Sequence, residues 1–165
     1  MPSLARLSIR WTSRFRPVDN RVPRVLVVDD NCSAADALAT FLGLLQFESH
    51  TAYSGAAAII AARASKPDIV LLDISMPEID GFAVAATLRR DPLTAGCIVV
   101  ALTAHDGDFV QARALTGQFD AYFQKGFGLD ALIALLAEVV PHTLTVGDRP
   151  APADMQLLPT RAGST

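Results

Sequence analysis

From Arg24 onward the chain alternates short apolar, largely β-branched runs with longer Ala/Leu-rich stretches at helical spacing, and this alternation limits its fold more than any other feature. Strands are predicted over Val25–Val28, Glu48–Ala52, Ile69–Leu72, Ile98–Leu102 and Asp120–Phe123, with helices over Ser33–Leu45, Gly55–Ala64, Phe82–Arg90, Asp108–Leu115 and Leu129–Val140. Ser33, with Asp36 three residues on, and Ser54 have side chains suited to N-caps, while Lys66-Pro67 and Asp91-Pro92 supply stops. Val-Leu-Val-Val, Ile-Val-Leu-Leu and Ile-Val-Val-Ala-Leu are continuous apolar runs, as expected of parallel strands covered on both faces. Five strand-helix pairs in succession predict an α/β fold, a doubly wound five-stranded parallel sheet with five helices on its two faces.

In such a sheet the crossovers are right-handed and ligands bind beyond the C-terminal ends of the strands. Chemistry-bearing residues stand at those places: Asp29 and Asp30 after the first run, Asp73 after the third, Thr103 after the fourth and Lys125 after the fifth. Parallel, adjacent strands would bring them to one rim. Clustered carboxylates repel unless a cation sits among them, and a small set of hard oxygen ligands suits magnesium.

Val-Leu-Val-Val-Asp29-Asp30-Asn31, Asp73-Ile-Ser75-Met76-Pro77-Glu-Ile-Asp80-Gly81, Ala-Leu-Thr103-Ala104 and Tyr122-Phe-Gln-Lys125 together resemble the receiver domain of bacterial response regulators, over about residues 24–140. The resemblance implies a flavodoxin-like strand order 2-1-3-4-5. It implies Asp73 as phosphoacceptor, taking a phosphoryl group from a sensor histidine kinase or a histidine phosphotransfer protein. It implies Mg2+ held by Asp30, Asp73 and the Ser75 backbone carbonyl, with Asp29 acting through water. Thr103, Lys125 and the Ala104 backbone N–H then hold phosphate oxygens. Tyr122 falls at the switch-aromatic position, which turns from outward to inward as Thr103 is drawn towards the phosphoryl group, and the output face is that of the fourth helix, fifth strand and fifth helix. Such a protein is a phosphoacceptor with intrinsic autophosphatase chemistry rather than an enzyme in the usual sense.

Two positions depart from that pattern. Gly126 stands where the family has a proline whose preceding cis bond aims the lysine; before glycine a cis bond costs ~2.5–4 kcal/mol, so a trans bond is expected. Gly117-Gln-Phe-Asp120 is one residue longer than the usual turn. The Gly126 departure motivates an alternative, a degenerate receiver that binds partners without taking phosphate. A phosphatase with an aspartate nucleophile is disfavoured because its general acid, two residues after the nucleophile, would be Ser75 here.

The charge is uneven: residues 1–24 carry +5, residues 25–140 carry −8 and the remainder is balanced, for a net −3. An acidic core argues against specific DNA binding. The longest apolar runs, around Ala56–Ala62 and Ala131–Ala137, fall short of the ~18–20 residues that cross a bilayer. Cys32 and Cys97 have no CxxC spacing and read as reduced, packed thiols, and with no secretory signal the expected location is the cytoplasm. Residues 1–23 form a basic arm whose Leu4, Leu7, Trp11 and Phe15 have helical spacing. Its readings are a membrane surface, an acidic partner, the domain's own acidic face, or an unstructured leader. Residues 141–165, rich in proline and small polar residues, read as a disordered tail, and neither tail has room for an output domain.

Overall fold

A computed structural model describes residues 8–126 and 128–141. In chain order the elements are β1 (Ser8–Arg10), β2 (Arg24–Val28), α1 (Cys32–Leu44), β3 (Glu48–Ala52), α2 (Gly55–Ser65), β4 (Ile69–Asp73), α3 (Gly81–Arg90), β5 (Ile98–Thr103), α4 (Gly107–Arg113), β6 (Ala121–Gln124) and α5 (Leu129–Val139). They build one sheet in the order β1-β6-β5-β4-β2-β3. The five strands from β2 to β6 are parallel, in the 2-1-3-4-5 order expected of them. A sixth strand that the sequence reading does not include, β1, runs antiparallel along β6.

Alternate residues of the apolar strands feed two separate cores, one on each face of the sheet. Val25, Val27, Ile69, Leu71, Ile98 and Val100 pack with Leu42 of α1 and Leu132 and Leu136 of α5. Leu26, Val28, Val70, Leu72, Val99 and Ala101 pack with Ala58 and Ala62 of α2 and Val84 and Leu88 of α3. Burial of every residue of β4 and β5 is why those runs carry no polar alternation until their C-terminal ends.

Local chemistry sets the element ends. Asn31, rather than Ser33, caps α1 by accepting the Ala34 N–H, because β2 ends at Val28 and the helix begins immediately after the Asp29–Asn31 turn. Ser54 caps α2 as expected, and Lys66 closes it in the left-handed region at φ 47°. Cys97 is buried as expected, whereas Cys32 is exposed at the start of α1.

The N-terminal arm differs most from its expected form. Leu4 and Leu7 lie outside the described residues, as do residues 142–165 of the tail. Where the arm is described it opens as a strand instead of a helix, pairing Ile9 with Tyr122 and Arg10 with Ala121. A short isolated helix has little stability of its own, while the edge of β6 offers a row of backbone partners. Two buried acids then anchor the residues between β1 and β2. Asp68 accepts hydrogen bonds from Arg16 Nε and from both terminal nitrogens of Arg21, each at 2.7 Å, and from the Arg24 N–H at 2.9 Å. Asp120 accepts from Thr12 Oγ1 at 2.8 Å and lies 3.5 Å from the Arg14 guanidinium. Of the readings open to the arm, docking on the domain's own acids is the one these residues adopt. Among the described residues no helix is long and apolar enough to cross a membrane.

Candidate functional site

Three strand ends meet at the C-terminal rim. β2 ends one residue before Asp29, β4 ends at Asp73 and β5 ends at Thr103. β4 lies between β2 and β5, so parallel register delivers the carboxylates of Asp29 and Asp73 to adjacent positions. Asp29, Asp30 and Asp73 each offer a carboxylate oxygen, all within 4.8 Å of one another, with Asp29 and Asp73 buried and Asp30 exposed.

The two buried carboxylates are held alike. Asp29 Oδ1 accepts the Asn31 N–H at 2.9 Å, and Asp73 Oδ1 accepts the Ser75 N–H at 3.1 Å. Each therefore commits one oxygen to its own loop and turns the other toward Lys125, whose Nζ lies 2.7 Å from Asp29 Oδ2 and 3.3 Å from Asp73 Oδ2. Burial pushes the Asp73 carboxyl above the usual carboxylate range; the Lys125 ammonium and the Ser75 N–H pull it back only in part, and Asp29 adds repulsion. Burial opposes the charge on Lys125, but the two carboxylates outweigh it and hold the ammonium above its ordinary range.

The Lys125–Gly126 peptide is trans, with Gly126 at φ +90°. Lys125 reaches the carboxylates all the same, because its backbone N–H donates to Thr103 O at 2.8 Å and so sets where the side chain starts. Thr103 is fully buried and its Oγ1 accepts the His105 N–H at 3.0 Å. Ala104 is exposed beside it. Tyr122 is also fully buried, and its hydroxyl donates to His105 O at 2.9 Å. The structure thus brings Asp29, Asp30, Asp73 and Lys125 together, with Thr103 and Ala104 at the end of the neighbouring strand, while Tyr122 lies under the loop beyond them.

Hard oxygen donors on three carboxylates, two of them buried with a single ammonium between them, fit a divalent cation such as Mg2+. Asp29, Asp30 and Asp73 are the three side chains that could hold it.

Some contributors carry no signal that a reading of strand ends detects. A Cβ on Gly81 would stand 2.5 Å from Asp73 O, and one on Gly55 would stand 2.5 Å from Ile79 O, so the starts of α3 and α2 press on the loop after Asp73. Glu78 turns that loop at φ 64°. Asp120, read from sequence only as the first residue of a strand, is a buried hub. Its Oδ2 accepts Arg89 at 2.5 Å and the Val99 N–H at 2.9 Å, which fixes the extended 117–120 turn against β5. A groove of about 480 Å3 opens beside Lys125 between α1 and α5, lined in part by Leu38, Phe41, Phe123 and Leu129.

Residues 25–137 match the family described as response regulator receiver domain. The transcriptional regulatory protein PrrA of Mycobacterium tuberculosis is 38% identical over 113 residues, 68% of this chain and 47% of that protein. The DNA-binding dual master transcriptional regulator RpaA of Synechocystis is 29% identical over 122 residues, 74% of this chain and 51% of that protein. The chain thus spans about half the length of the curated relatives it matches. Among solved structures, the response regulator protein TrrA of Thermotoga maritima in complex with Mg(2+)-BeF superposes with a TM-score of 0.65 at 29% identity, over 72% of this chain and 99% of that one. The Vibrio cholerae chemotaxis protein CheY4 shares the fold, with a TM-score of 0.66 at 24% identity over 72% of this chain and 98% of that one.

Proposed function

The chain belongs to the response regulator receiver family, and from that premise we propose that Asp73 accepts a phosphoryl group from a phosphohistidine on a sensor histidine kinase or phosphotransfer protein, in a Mg2+-dependent reaction. The observation that carries the reading is the pairing of Asp73 with Asp29 across one ammonium, Lys125 Nζ at 3.3 and 2.7 Å. That arrangement suits the meeting of two anions.

In the step itself an Asp73 carboxylate oxygen attacks phosphorus as the P–N bond of the donor breaks. The electron pair leaves with the imidazole nitrogen, which takes up a proton, and an aspartyl phosphate remains. Asp73 Oδ1 is engaged by the Ser75 N–H, so Oδ2 is the oxygen with a free approach once Lys125 shifts toward the incoming group. Lys125 then neutralises equatorial phosphoryl oxygens, and Thr103 Oγ1 with the Ala104 N–H supplies neutral donors at the end of the next strand. Mg2+ on Asp30, Asp73 and the Ser75 carbonyl, with Asp29 through water, would supply the remaining positive charge. The apolar groove between α1 and α5 opens onto Lys125 and gives a donor protein a surface to rest on. Water entering the same pocket would hydrolyse the aspartyl phosphate slowly, and Thr103 with Tyr122 would carry the change to the face of α4, β6 and α5. The expected setting is the cytoplasm, and the acidic core supports no specific DNA binding by these residues.

The reading is tested by intact mass after incubation with acetyl phosphate, with and without Mg2+, on the wild type and Asp73→Asn. The expected result is a gain of one phosphoryl group that needs Mg2+ and is lost in the variant. No gain in a folded wild type, from acetyl phosphate or from a phosphohistidine donor, would overturn it in favour of the phosphate-independent interaction module.

A further inference from the structure

The β6 edge is already occupied in this protein, and the occupant is its own N-terminal arm. Ser8–Arg10 completes the sheet along β6, with Ile9 directly opposite Tyr122. Trp11, the next residue and the chain's single tryptophan, stacks on the Tyr122 ring with centroids 5.7 Å apart and planes 15° from parallel. On α4, Gly107 closes on the same ring: a Cβ there would stand 3.3 Å from Tyr122 Cε1. The phenol is thereby held inward, fully buried, with its hydroxyl donating to His105 O.

The arm is not merely lying on the surface. The Trp11 and Thr12 N–H groups both donate to Asp120 O, at 2.8 and 3.2 Å, and Thr12 Oγ1 bonds the Asp120 carboxylate. Further along, the Arg16 N–H donates to Val139 O at the end of α5, and Arg16 and Arg21 neutralise the buried Asp68. The strand and the stacked ring thus lie along the β6 edge between α4 and α5, the face on which a partner of the switch would dock, while the arginines carry the arm on to Asp68 at the start of β4.

We propose that residues 8–16 are a resident ligand of this face, and that Trp11 holds Tyr122 in its inward rotamer, so that arm docking and phosphoryl binding at Asp73 favour one and the same state. The second half rests on the phosphoacceptor reading above. Linkage then requires reciprocity: the docked arm tightens binding of a phosphoryl group, and a phosphoryl group tightens the arm. Any extended partner segment or second copy that pairs with β6 must first displace β1.

The test compares the full chain with Trp11→Ala and Trp11→Phe, with far-UV circular dichroism to check folding. Nitration of Tyr122 by tetranitromethane is followed by peptide mapping, and exposed Tyr53 serves as the internal control. Binding of beryllofluoride with Mg2+ is measured by titration. Tyr122 is expected to be nitrated at least about tenfold faster in Trp11→Ala, with substantial protection restored by phenylalanine. Beryllofluoride is expected to bind the wild type about fivefold or more tightly than Trp11→Ala, and to slow Tyr122 nitration in that variant. Should Trp11→Ala not fold, Trp11→Leu keeps an apolar side chain without the stacked ring and must release Tyr122 likewise. Unchanged Tyr122 reactivity in a folded variant overturns the clamp. A released Tyr122 with equal beryllofluoride affinity in both chains overturns the linkage. A released Tyr122 with no beryllofluoride binding by either chain supports the clamp and overturns the phosphoacceptor reading instead.

Discussion

The Lys125 ammonium donates to the Asp29 carboxylate across 2.7 Å, closer than it stands to Asp73. It is therefore the counter-charge that lets two buried carboxylates coexist at the rim. Lys125→Ala should leave the fold intact but lower stability near neutral pH by about 1–3 kcal/mol, since charged acceptors lose their donor. Mg2+ should restore more stability to the variant than it adds to the wild type, because binding to the folded state alone shifts unfolding by mass action. Thermal unfolding of both proteins across a Mg2+ series measures this, and equal Mg2+ responses would count against it.

How far this site was legible depends on where its residues sit. Asp29, Asp73 and Thr103 each close a continuous apolar run, so parallel pairing of those runs is enough to place them on one rim. The arm's strand form and its partners were not legible, because the decisive contacts are non-local: Thr12 bonds Asp120 at a separation of 108 residues. Locally, Leu7, Trp11 and Phe15 keep helical spacing, and only the β6 edge favours a strand. Ser33 and Asn31 are equally good caps by residue type, and the end of β2 decides between them.

Asp120 is a buried carboxylate with four partners, Thr12, Arg14, Arg89 and the Val99 N–H, and they are unequal. Arg89 reaches it from the interior side at 2.5 Å with a mostly buried side chain, whereas Arg14 stands at 3.5 Å and is 39% exposed. Asp120→Ala should cost about 3–5 kcal/mol, because the Arg89 guanidinium keeps its backbone carbonyl acceptors but loses its counter-charge, and the Val99 N–H loses its acceptor. Arg14→Ala should cost no more than about 1 kcal/mol. Urea unfolding of the two variants checks the ordering, and a larger loss from Arg14 would contradict it.

Asp68 makes stability depend on pH. Burial alone would raise its carboxyl, but the Arg21 hydrogen bonds, the Arg24 N–H and Arg16 outweigh burial and hold it below the usual carboxylate range. A carboxyl depressed on folding contributes stability that is fully present above its unfolded pKa of about 3.9 and is lost as pH falls through the folded value. Asp68→Asn should therefore be less stable than the wild type by about 2 kcal/mol at pH 7, with the gap closing below about pH 4. Unfolding free energies at pH 7, 5 and 3 test the sign, and a gap that widens on acidification would refute it.

Two glycines separate steric need from helical cost. A Cβ on Gly81 would meet Asp73 O at 2.5 Å and Ile74 Cα at 2.8 Å, both backbone atoms that cannot swing aside. The same residue donates its N–H to Ile74 O at 3.0 Å, closing the loop that carries Ser75 over Asp73. Gly43, inside α1, has nothing within 4 Å of its Cβ position. Gly81→Ala should destabilise by about 1–3 kcal/mol through overpacking. It should also slow phosphoryl uptake from acetyl phosphate, because the Ser75 N–H moves with the loop. Gly43→Ala should instead stabilise by about 0.5–1 kcal/mol, since the helix gains a residue with less freedom to lose on folding. Uptake in Gly43→Ala should match the wild type. If both substitutions gave the same change in stability and uptake, close packing at Gly81 would not be what holds the Asp73 loop in place.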